Sequence, residues 1–224
     1  MKAAPAKSRL GSRGRPEESR AAILQAAIQE FARDGVAGAR TDAIARAAKV
    51  NKALLYYYFK DKETLYGAAL DYAFSQLKDH MMKVLDRDLS PGEKIRTYVS
   101  TYFDFLADHK VNRDLVQREM MRAGHGSPHL QRIAKNYFQP LFLRLGQVIR
   151  DGIASGEFRP VDPMHFVPSM IALVVFYFTS APVMKTVTGF DPLSPERVAE
   201  RRAAVLDFIS AALFRHETSH GERR

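Results

Sequence analysis

The chain has 224 residues, and its 34 Lys and Arg exceed its 25 Asp and Glu, which gives a formal net charge of +9. This length can bury the core of a helical domain and of a smaller domain attached to it. The absence of cysteine excludes a disulfide framework and a thiolate metal site, and we expect a cytoplasmic protein.

A basic arm precedes the first predicted helix. Residues 1–15 contain five basic residues with no apolar segment after them, so they lack the pattern of a signal peptide, and we expect them to be disordered. Arg13 and Arg15 are placed to reach a DNA minor groove. Residues 1–65 hold 13 Lys and Arg against 7 Asp and Glu, a net charge of +6. This concentration of positive charge suits the neutralisation of phosphates.

The first helix is predicted to begin at Pro16 and to end near Gly35. Proline is favoured at the first position of a helix and glycine just beyond its end. Between them, apolar side chains recur at helical spacing and form a stripe of Leu24, Ala27, Ile28 and Phe31. We expect this helix to support the segment that follows.

Two short helical patterns with a break between them follow at residues 41–59. Thr41 is the predicted N-cap of the first, in which the helical repeat is formed by Ile44, Ala47 and Ala48. Asn51 is the predicted N-cap of the second, which runs from Lys52 to Phe59. Two short helices joined by a turn of three or four residues describe a helix-turn-helix, whose second helix enters the major groove of DNA.

The string LLYYYFKDKETL, residues 54–65, resembles the recognition-helix signature of the TetR family of one-component transcriptional regulators. The match is close from Leu55 to Leu65. Tyr58 stands where the family usually has histidine, at a position expected to face the DNA backbone or the domain core. The preceding string AAILQAAIQEFARDGVAGART is similar to the family's first helix and its exit turn. The resemblance covers about the first third of the chain by motif, and the remainder by architecture.

The predicted DNA contacts divide between base edges and the phosphate backbone. Asn51, Lys52 and Ala53 lie where base edges are met, since Lys52 can donate to guanine O6 or N7 and an alanine can contact a thymine methyl group. A tyrosine hydroxyl donates well to phosphate, and the resemblance implies the same role for Tyr56 and Tyr57. The other predicted phosphate contacts are Thr41, Lys60 and Lys62.

The rest of the chain is also predicted to be helical, so the fold class is all-α. Clusters of Gly and Pro separate segments of helical length and period, and no series of strands is found. A long helix from about Lys62 connects two domains, and residues 129–154 predict another, kinked at Pro140. The prediction is a disordered arm at 1–15 and a three-helix helix-turn-helix DNA-binding domain at 16–65. A larger helical effector-binding and dimerisation domain follows at 66–215, and a disordered tail at 216–224.

Residues 163–184 contain no Asp, Glu, Lys or Arg, and two interpretations of this run stay open. The run is long enough to span a membrane. A helix that is apolar on all sides is also typical of a buried core or a subunit contact. Pro168, Pro182 and the scattered Ser and Thr residues favour the buried helix, and we expect no membrane partner.

Burial on all sides predicts an interface between subunits. One face of the helix at about 163–185 would cover its own domain, and the other would meet a second copy through Phe166, Met170, Val174 and Phe178. As the TetR resemblance implies, this helix and the final one, at about 195–214, would form a four-helix interface in a homodimer. The two recognition helices would then lie about 34–36 Å apart and read a palindromic operator.

The resemblance further implies that the second domain binds a small hydrophobic effector. An effector that binds better to dimers whose recognition helices are displaced from operator spacing shifts the population off DNA. The side chains predicted to line an apolar cavity for it are Phe103, Tyr137, Phe142, Met170 and Tyr177. Repression rather than activation is expected from the habit of the family.

Two alternative functions for this sequence are a helical enzyme acting on a hydrophobic substrate and a membrane-tethered DNA-binding protein. The sequence contains no nucleophile elbow, P-loop, dinucleotide motif or cysteine nucleophile, so we expect no enzyme, no catalytic residue and no cofactor.

A group of polar residues near position 125 suggests a metal site, but the spacing argues against it. Glu119, Arg122, His125 and His129 surround a Gly-rich loop. Gly126 and Pro128 oppose the helix that would align the two histidines on one metal. We therefore predict a solvated loop and no metal.

Overall fold

The computed structural model describes residues 16–215, and their regular structure is helical. Apart from a single antiparallel bridge between Phe158 and Phe214, no β-structure occurs within these residues. The all-α fold class is thereby confirmed. The predicted arm at 1–15, with Arg13 and Arg15, and the predicted tail at 216–224 lie outside the described residues.

Eleven helices and one π-helical turn follow one another in the described part of the chain. They are α1 (Pro16–Gly38), α2 (Thr41–Ala47), α3 (Lys52–Tyr58), α4 (Lys62–Leu85), α5 (Pro91–Asp108), α6 (Lys110–Ala123), α7 (Leu130–Ile133), the π-turn (Ala134–Phe138), α8 (Gln139–Ala154), α9 (Pro163–Thr179), α10 (Ala181–Thr188) and α11 (Pro195–Leu213). The long helix predicted from Lys62 and the final helix are thus present.

The chain divides into two compact units. Among the described residues, the first contains 16–73 together with 111–129, and the second contains 74–110 and 130–215. The helix α6 therefore belongs almost entirely to the first unit, although it follows α5 directly in sequence. The predicted boundary between residues 65 and 66 stays a prediction.

The first unit is built around apolar side chains from α1 to α4. Phe31 and Tyr66 meet edge-to-face with ring centroids 5.0 Å apart. The predicted core residues Phe31, Ile44, Leu55 and Phe59 are buried, whereas Ile23 takes the central place expected for its neighbour Leu24. Gly35 adopts a left-handed conformation, with φ of 68°, which glycine tolerates at no steric cost, and this residue ends the regular part of α1 as predicted.

The helix-turn-helix is held by a short turn between α2 and α3. Lys49 lies in the left-handed region, with φ of 56°, and reverses the chain. The Asn51 side chain accepts a hydrogen bond from the Leu54 backbone N–H at 2.7 Å, so the predicted N-cap of α3 is confirmed. The predicted cap of α2 was wrong, because Arg40 occupies the N-cap position and Thr41 is already inside the helix.

The second unit has a larger core formed by α4, α5, α8, α9 and α11. The helix α5 begins with a capping box in which Ser90 and Glu93 exchange side-chain and backbone hydrogen bonds. At the centre, the Phe103 ring lies 5.7 Å from that of Phe178. Each fully buried side chain of this size contributes about 1.5–3 kcal/mol through removal of apolar surface from water.

Two predicted helices are interrupted in the structure. The helix expected at 129–154 consists of α7, the π-turn and α8, because Pro140 has no N–H for a regular helical bond and the turn accommodates the irregularity. The helix expected at 163–185 breaks at Ser180, and α9 and α10 are bent by 62°. Pro182 explains the break, since its ring would clash with a carbonyl one turn earlier.

No single helix among residues 16–215 is both long and apolar enough to cross a membrane. The bent pair of α9 and α10 meets the requirement only when the two are taken together.

Candidate nucleic-acid interface

The helix α3 is fixed from one side and leaves its other side open to solvent. Leu55 is fully buried, and Phe59 just beyond the helix is 2% exposed. Ala53 lies on the open side, where Tyr57 is 79% exposed and Tyr56 is 40% exposed. Exposed aromatic rings on this side are available to a partner such as a DNA groove.

Two polar contacts join the first turn of α2 to the open side of α3. The Lys52 ammonium lies 2.9 Å from the Asp42 carboxylate, and the hydroxyls of Thr41 and Tyr56 are 3.3 Å apart. The hydrogen bond and the charge of Lys52 hold the pKa of Asp42 below its ordinary value. Three predicted DNA-contact residues and the carboxylate of Asp42 therefore lie together on one exposed surface. We call this set, Thr41, Asp42, Lys52 and Tyr56, the α2–α3 surface.

Asp42 was missed by the sequence interpretation. Its partner lies ten positions away on another helix, and an isolated carboxylate carries no DNA-binding signal of its own. The geometry of the turn brings the two side chains together, so only the three-dimensional structure identifies the pair.

The remaining predicted DNA contacts differ in their surroundings. Lys60 is exposed just after α3. Lys62 instead donates to the carbonyl oxygens of Ala37 and Ala39, each at 3.3 Å, and so ties the end of α1 to the start of α4. Asp61 caps α4 by accepting from the Thr64 N–H at 2.7 Å, as predicted.

Tyr58 replaces the usual family histidine without facing fully outward. Its side chain is half-buried, and its ring meets the ring of Tyr57 edge-to-face with centroids 5.2 Å apart. Tyr58 therefore limits where the exposed Tyr57 ring can point.

The predicted solvated loop near residue 125 was wrong for two of its polar residues. Glu119 is fully buried and accepts hydrogen bonds from the hydroxyls of Tyr66, at 3.1 Å, and Ser127. His129 lies 2.9 Å from the Glu63 carboxylate, which also accepts from Arg122 at 2.7 Å. These six residues are called the Glu119 cluster. The partners of Glu119 and His129 on α4 lie more than 50 residues away in sequence, so no local pattern reveals them.

The Glu119 cluster joins α6 to the start of α4, which follows α3 in the chain. Burial, together with the charge and hydrogen bond of Glu119, raises the pKa of Tyr66, so its hydroxyl remains a donor. The helix α6 is also hydrogen-bonded to α1, because the Arg118 guanidinium donates to the carbonyl oxygens of Ala32 and Arg33 at 2.8 and 2.6 Å. Within the first unit, α6 therefore holds the helices that position α3. No group of three or more potential metal ligands of the His, Cys, Asp and Glu types comes together among residues 16–215.

The predicted effector-binding side chains are placed differently from one another in the second unit. Phe103, Met170 and Tyr177 are buried in the core, and the Tyr177 hydroxyl donates to the Pro192 carbonyl oxygen at 2.5 Å. Phe142 packs at the edge of that core. Tyr137, in the π-turn, is half-buried, stacks on Phe74 with centroids 5.8 Å apart and lies under the Lys78 ammonium.

The outward face of α9 is not the one that was predicted. Met170, Val174 and Phe178 are buried in the core of their own unit, and Phe166 is half-buried against it, so this stripe does not face a second copy. A different stripe, also at spacings of four, is exposed on α9: Met164, Pro168, Ala172 and Phe176. On α11 the exposed apolar positions include Ala204, Phe208 and Ala211, which lie at spacings of four and three.

Comparison with known families accounts for both units. The model of bacterial regulatory proteins of the tetR family matches residues 23–69, and the model of tetracyclin repressor-like C-terminal domains matches residues 91–209. The chain belongs to the TetR family. It is therefore a helix-turn-helix transcriptional regulator, and α3 corresponds to the recognition helix of the family.

Similar proteins include named transcriptional regulators. The chain is 31% identical over 171 residues to the helix-turn-helix transcriptional regulator RutR of Escherichia coli, covering 75% of this chain and 77% of RutR. It is also 31% identical over 163 residues to a helix-turn-helix transcriptional repressor of Streptomyces coelicolor, covering 71% of this chain and 76% of the repressor.

Solved structures share the fold of this TetR-family protein. A transcriptional regulator from Saccharomonospora viridis in complex with choline superimposes with a TM-score of 0.74 at 20% identity, covering 89% of this chain and 99% of the other. AibR in complex with isovaleryl coenzyme A and operator DNA superimposes with a TM-score of 0.69 at 18% identity, covering 86% and 97%.

Proposed function

We propose that this protein is a homodimeric repressor that binds a palindromic operator and is released by a small hydrophobic effector. The observation that carries the proposal is the open side of α3, where Lys52, Tyr56 and Tyr57 are exposed around a buried Leu55. A helix held in this way can enter a major groove without loss of its own core. Repression is supported by the similarity to the Streptomyces coelicolor repressor.

The proposed DNA contacts divide into base contacts and backbone contacts. Lys52 and Ala53, in the first turn of α3, are assigned to base edges, and Asn51 contributes the part of its amide that does not cap the helix. The backbone contacts are assigned to Thr41, Tyr56, Tyr57, Lys60 and Lys62. Lys62 acts mainly through the contact between α1 and α4, because its ammonium is already bonded to two carbonyl oxygens.

The proposed dimer forms through the exposed stripes of α9 and α11. Phe176 is 66% exposed and Phe208 is 61% exposed, which is unfavourable for large aromatic side chains in water. Ala172 lies one turn from Phe176 on α9, and Ala204 and Ala211 lie one turn from Phe208 on α11; these small side chains permit helices to approach closely. A second copy carries the same stripes, so a two-fold arrangement covers both pairs at once.

The proposed effector site is centred on the π-turn rather than on the deep core. A ligand can contact the buried Phe103, Met170 and Tyr177 only if the core opens. Tyr137 is half-buried, and a local movement is enough to expose it to a ligand. π-Helical turns frequently occur at functional sites. Two proteins that share this fold, one in complex with choline and one with isovaleryl coenzyme A, support a small-molecule ligand for this chain.

The proposed signal travels from the second unit to α3 through α4 and α6. The chain enters α6 directly from α5, and the Glu119 cluster then links α6 to the start of α4. A displacement of α6 therefore acts on the helix that directly follows the recognition helix. Two arrangements with different effector affinities suffice to shift the population off the operator.

A regulator explains these features better than an enzyme does. The relatives described above are named as transcriptional regulators. A cytoplasmic location and the absence of a membrane partner belong to the same proposal.

Selection of bound sequences from a random duplex pool tests the proposal. We expect an enriched palindrome whose half-sites are separated by about one turn of DNA, followed by release when hydrophobic small molecules are screened against the selected duplex. Tyr57→Phe, which removes a hydroxyl assigned to the DNA backbone, should bind more weakly but enrich the same palindrome. If no sequence is enriched at moderate salt, the proposed function is wrong.

A further inference from the structure

The exposed carboxylate of Asp42 lies beside the groups proposed to contact DNA. Its side chain is 56% exposed and that of Lys52 is 51% exposed, and their charged atoms are 2.9 Å apart. A carboxylate repels phosphate, so Asp42 cannot hold the DNA backbone. Its position on the α2–α3 surface therefore calls for a different explanation.

Lysine alone discriminates poorly between bases. Its ammonium is a point charge on a flexible stem, and it can donate to guanine O6 and N7, to thymine O4 or to a phosphate. The contact with Asp42 restricts that ammonium to one region of the surface and leaves two of its three donor hydrogens for other acceptors. A lysine held in this way can address one base pair in preference to its neighbours.

Asp42 also presents an acceptor of its own. The 2.9 Å contact with Lys52 is made by Oδ1, and an ionised carboxylate has about four lone-pair sites on its two oxygens, so the carboxylate can accept further hydrogen bonds. In the major groove the groups that donate to a carboxylate are the exocyclic amino groups, and the established pairing of Asp or Glu is with cytosine N4. Lys52 and Asp42 together therefore present a donor beside an acceptor, which matches guanine O6 or N7 beside cytosine N4.

We propose that Asp42 is a specificity-determining residue of this regulator. It selects a cytosine N4 amino group in the major groove and, in the same contact, orients Lys52 toward the guanine of that base pair or of the adjacent one. The inference rests on the proposed DNA binding by α3. It adds an α2 residue to the base contacts, which the sequence interpretation had confined to α3 and its N-cap.

Site selection with wild type and four variants tests this inference. Wild type should enrich a site with a G·C pair in each half-site that Asp42→Ala relaxes, with a loss of discrimination at that pair of about tenfold. Asp42→Asn keeps an oxygen that accepts from Lys52, but its amide pairs best with adenine N6 and N7, so the preferred base should change from cytosine to adenine. Lys52→Ala should relax the same pair or the adjacent one, and the double variant should lose less than the two single losses combined.

Asp86→Ala is the matched control. Asp86 is 58% exposed and ion-paired to Arg144 in the second unit, so the variant removes an equally exposed carboxylate far from α3 in sequence and should enrich the wild-type site. An unchanged site with both Asp42 variants would overturn the inference while leaving the proposed function intact. Retention of cytosine by Asp42→Asn alone would reduce Asp42 to a group that only orients Lys52, and would overturn the base contact. Failure of wild type to enrich any site would overturn the proposed function and the inference together.

Discussion

The outward faces of α3 and α9 differ in chemistry, although each helix is anchored by apolar residues on its inner side. The open side of α3 carries Lys52, Tyr56 and Tyr57, groups that remain favourable in water and suit a charged partner. The open side of α9 carries Met164 and Phe176, whose exposure is unfavourable until another apolar surface covers it. The chemistry of each outward face is consistent with its proposed partner: DNA for α3 and a second copy of the chain for α9.

The largest expected effect comes from placing a charge in the α9 stripe. Phe176→Asp, or Phe208→Asp on α11, should produce a monomer and reduce operator affinity on the order of 100-fold or more, because a palindrome needs both recognition helices. Sedimentation velocity and fluorescence anisotropy measure the two quantities. Met121→Asp is the control, since Met121 is 68% exposed on α6 in the first unit. If either variant remains dimeric, the proposed dimer contact through α9 and α11 is wrong.

The Glu119 cluster tests whether the open side of α3 depends on a buried support. Glu119→Ala leaves the hydroxyls of Tyr66 and Ser127 without their buried acceptor, and we expect a loss of about 1–3 kcal/mol in the free energy of unfolding. Urea denaturation measures it. Glu119→Gln retains one acceptor oxygen and should lose less. Equal stability of all three proteins would show that the cluster does not support the unit.

A substitution at Tyr57 tests whether the open side of α3 contacts DNA. Because its side chain is 79% exposed, Tyr57→Ala should leave the thermal unfolding midpoint unchanged while it weakens binding about tenfold on every duplex alike, as expected for a backbone contact. Anisotropy titrations on specific and unrelated duplexes measure this. A loss confined to the specific duplex would instead assign Tyr57 to a base.

The smallest expected effect is a pH dependence at Glu63. Burial disfavours the charged carboxylate, but the hydrogen bond and charge of Arg122, with those of His129, outweigh burial and leave the pKa of Glu63 below its ordinary value. A lowered folded-state pKa stabilises the fold above the unfolded value, and this stabilisation is lost as the pH falls through the folded value. Between about pH 5 and pH 3 the unfolding free energy of wild type should therefore fall more steeply than that of Glu63→Gln. Parallel curves in urea denaturation would contradict this assignment.

The first unit could be predicted closely because its signals are local. Asn51 caps α3, Asp61 caps α4 and Gly35 ends the regular part of α1, and each signal lies within a few residues of the feature it determines. Distant pairings could not be predicted in this way. Asp42 meets Lys52 across a turn, and Glu119 meets Tyr66 across 53 positions, so neither partner is visible in a periodic pattern.

The error on α9 has a different physical origin. When a helix is apolar on all sides, its period identifies several equivalent stripes and does not indicate which one faces the core. Packing against α5 and α11 buries Met170, Val174 and Phe178 and leaves Met164 and Phe176 outside. The break at Ser180 has a local cause in Pro182, but the apolar run around it concealed the signal.

Site-specific photocrosslinking tests the central claim most directly. A photoreactive phenylalanine analogue is placed at Ala53 in one protein and at Phe176 in another, and both are irradiated with the selected duplex. The account predicts a protein–DNA adduct from position 53 and a protein–protein adduct between two copies from position 176. Adducts to DNA from position 176, or to a second copy from position 53, would contradict the assignment of the two faces.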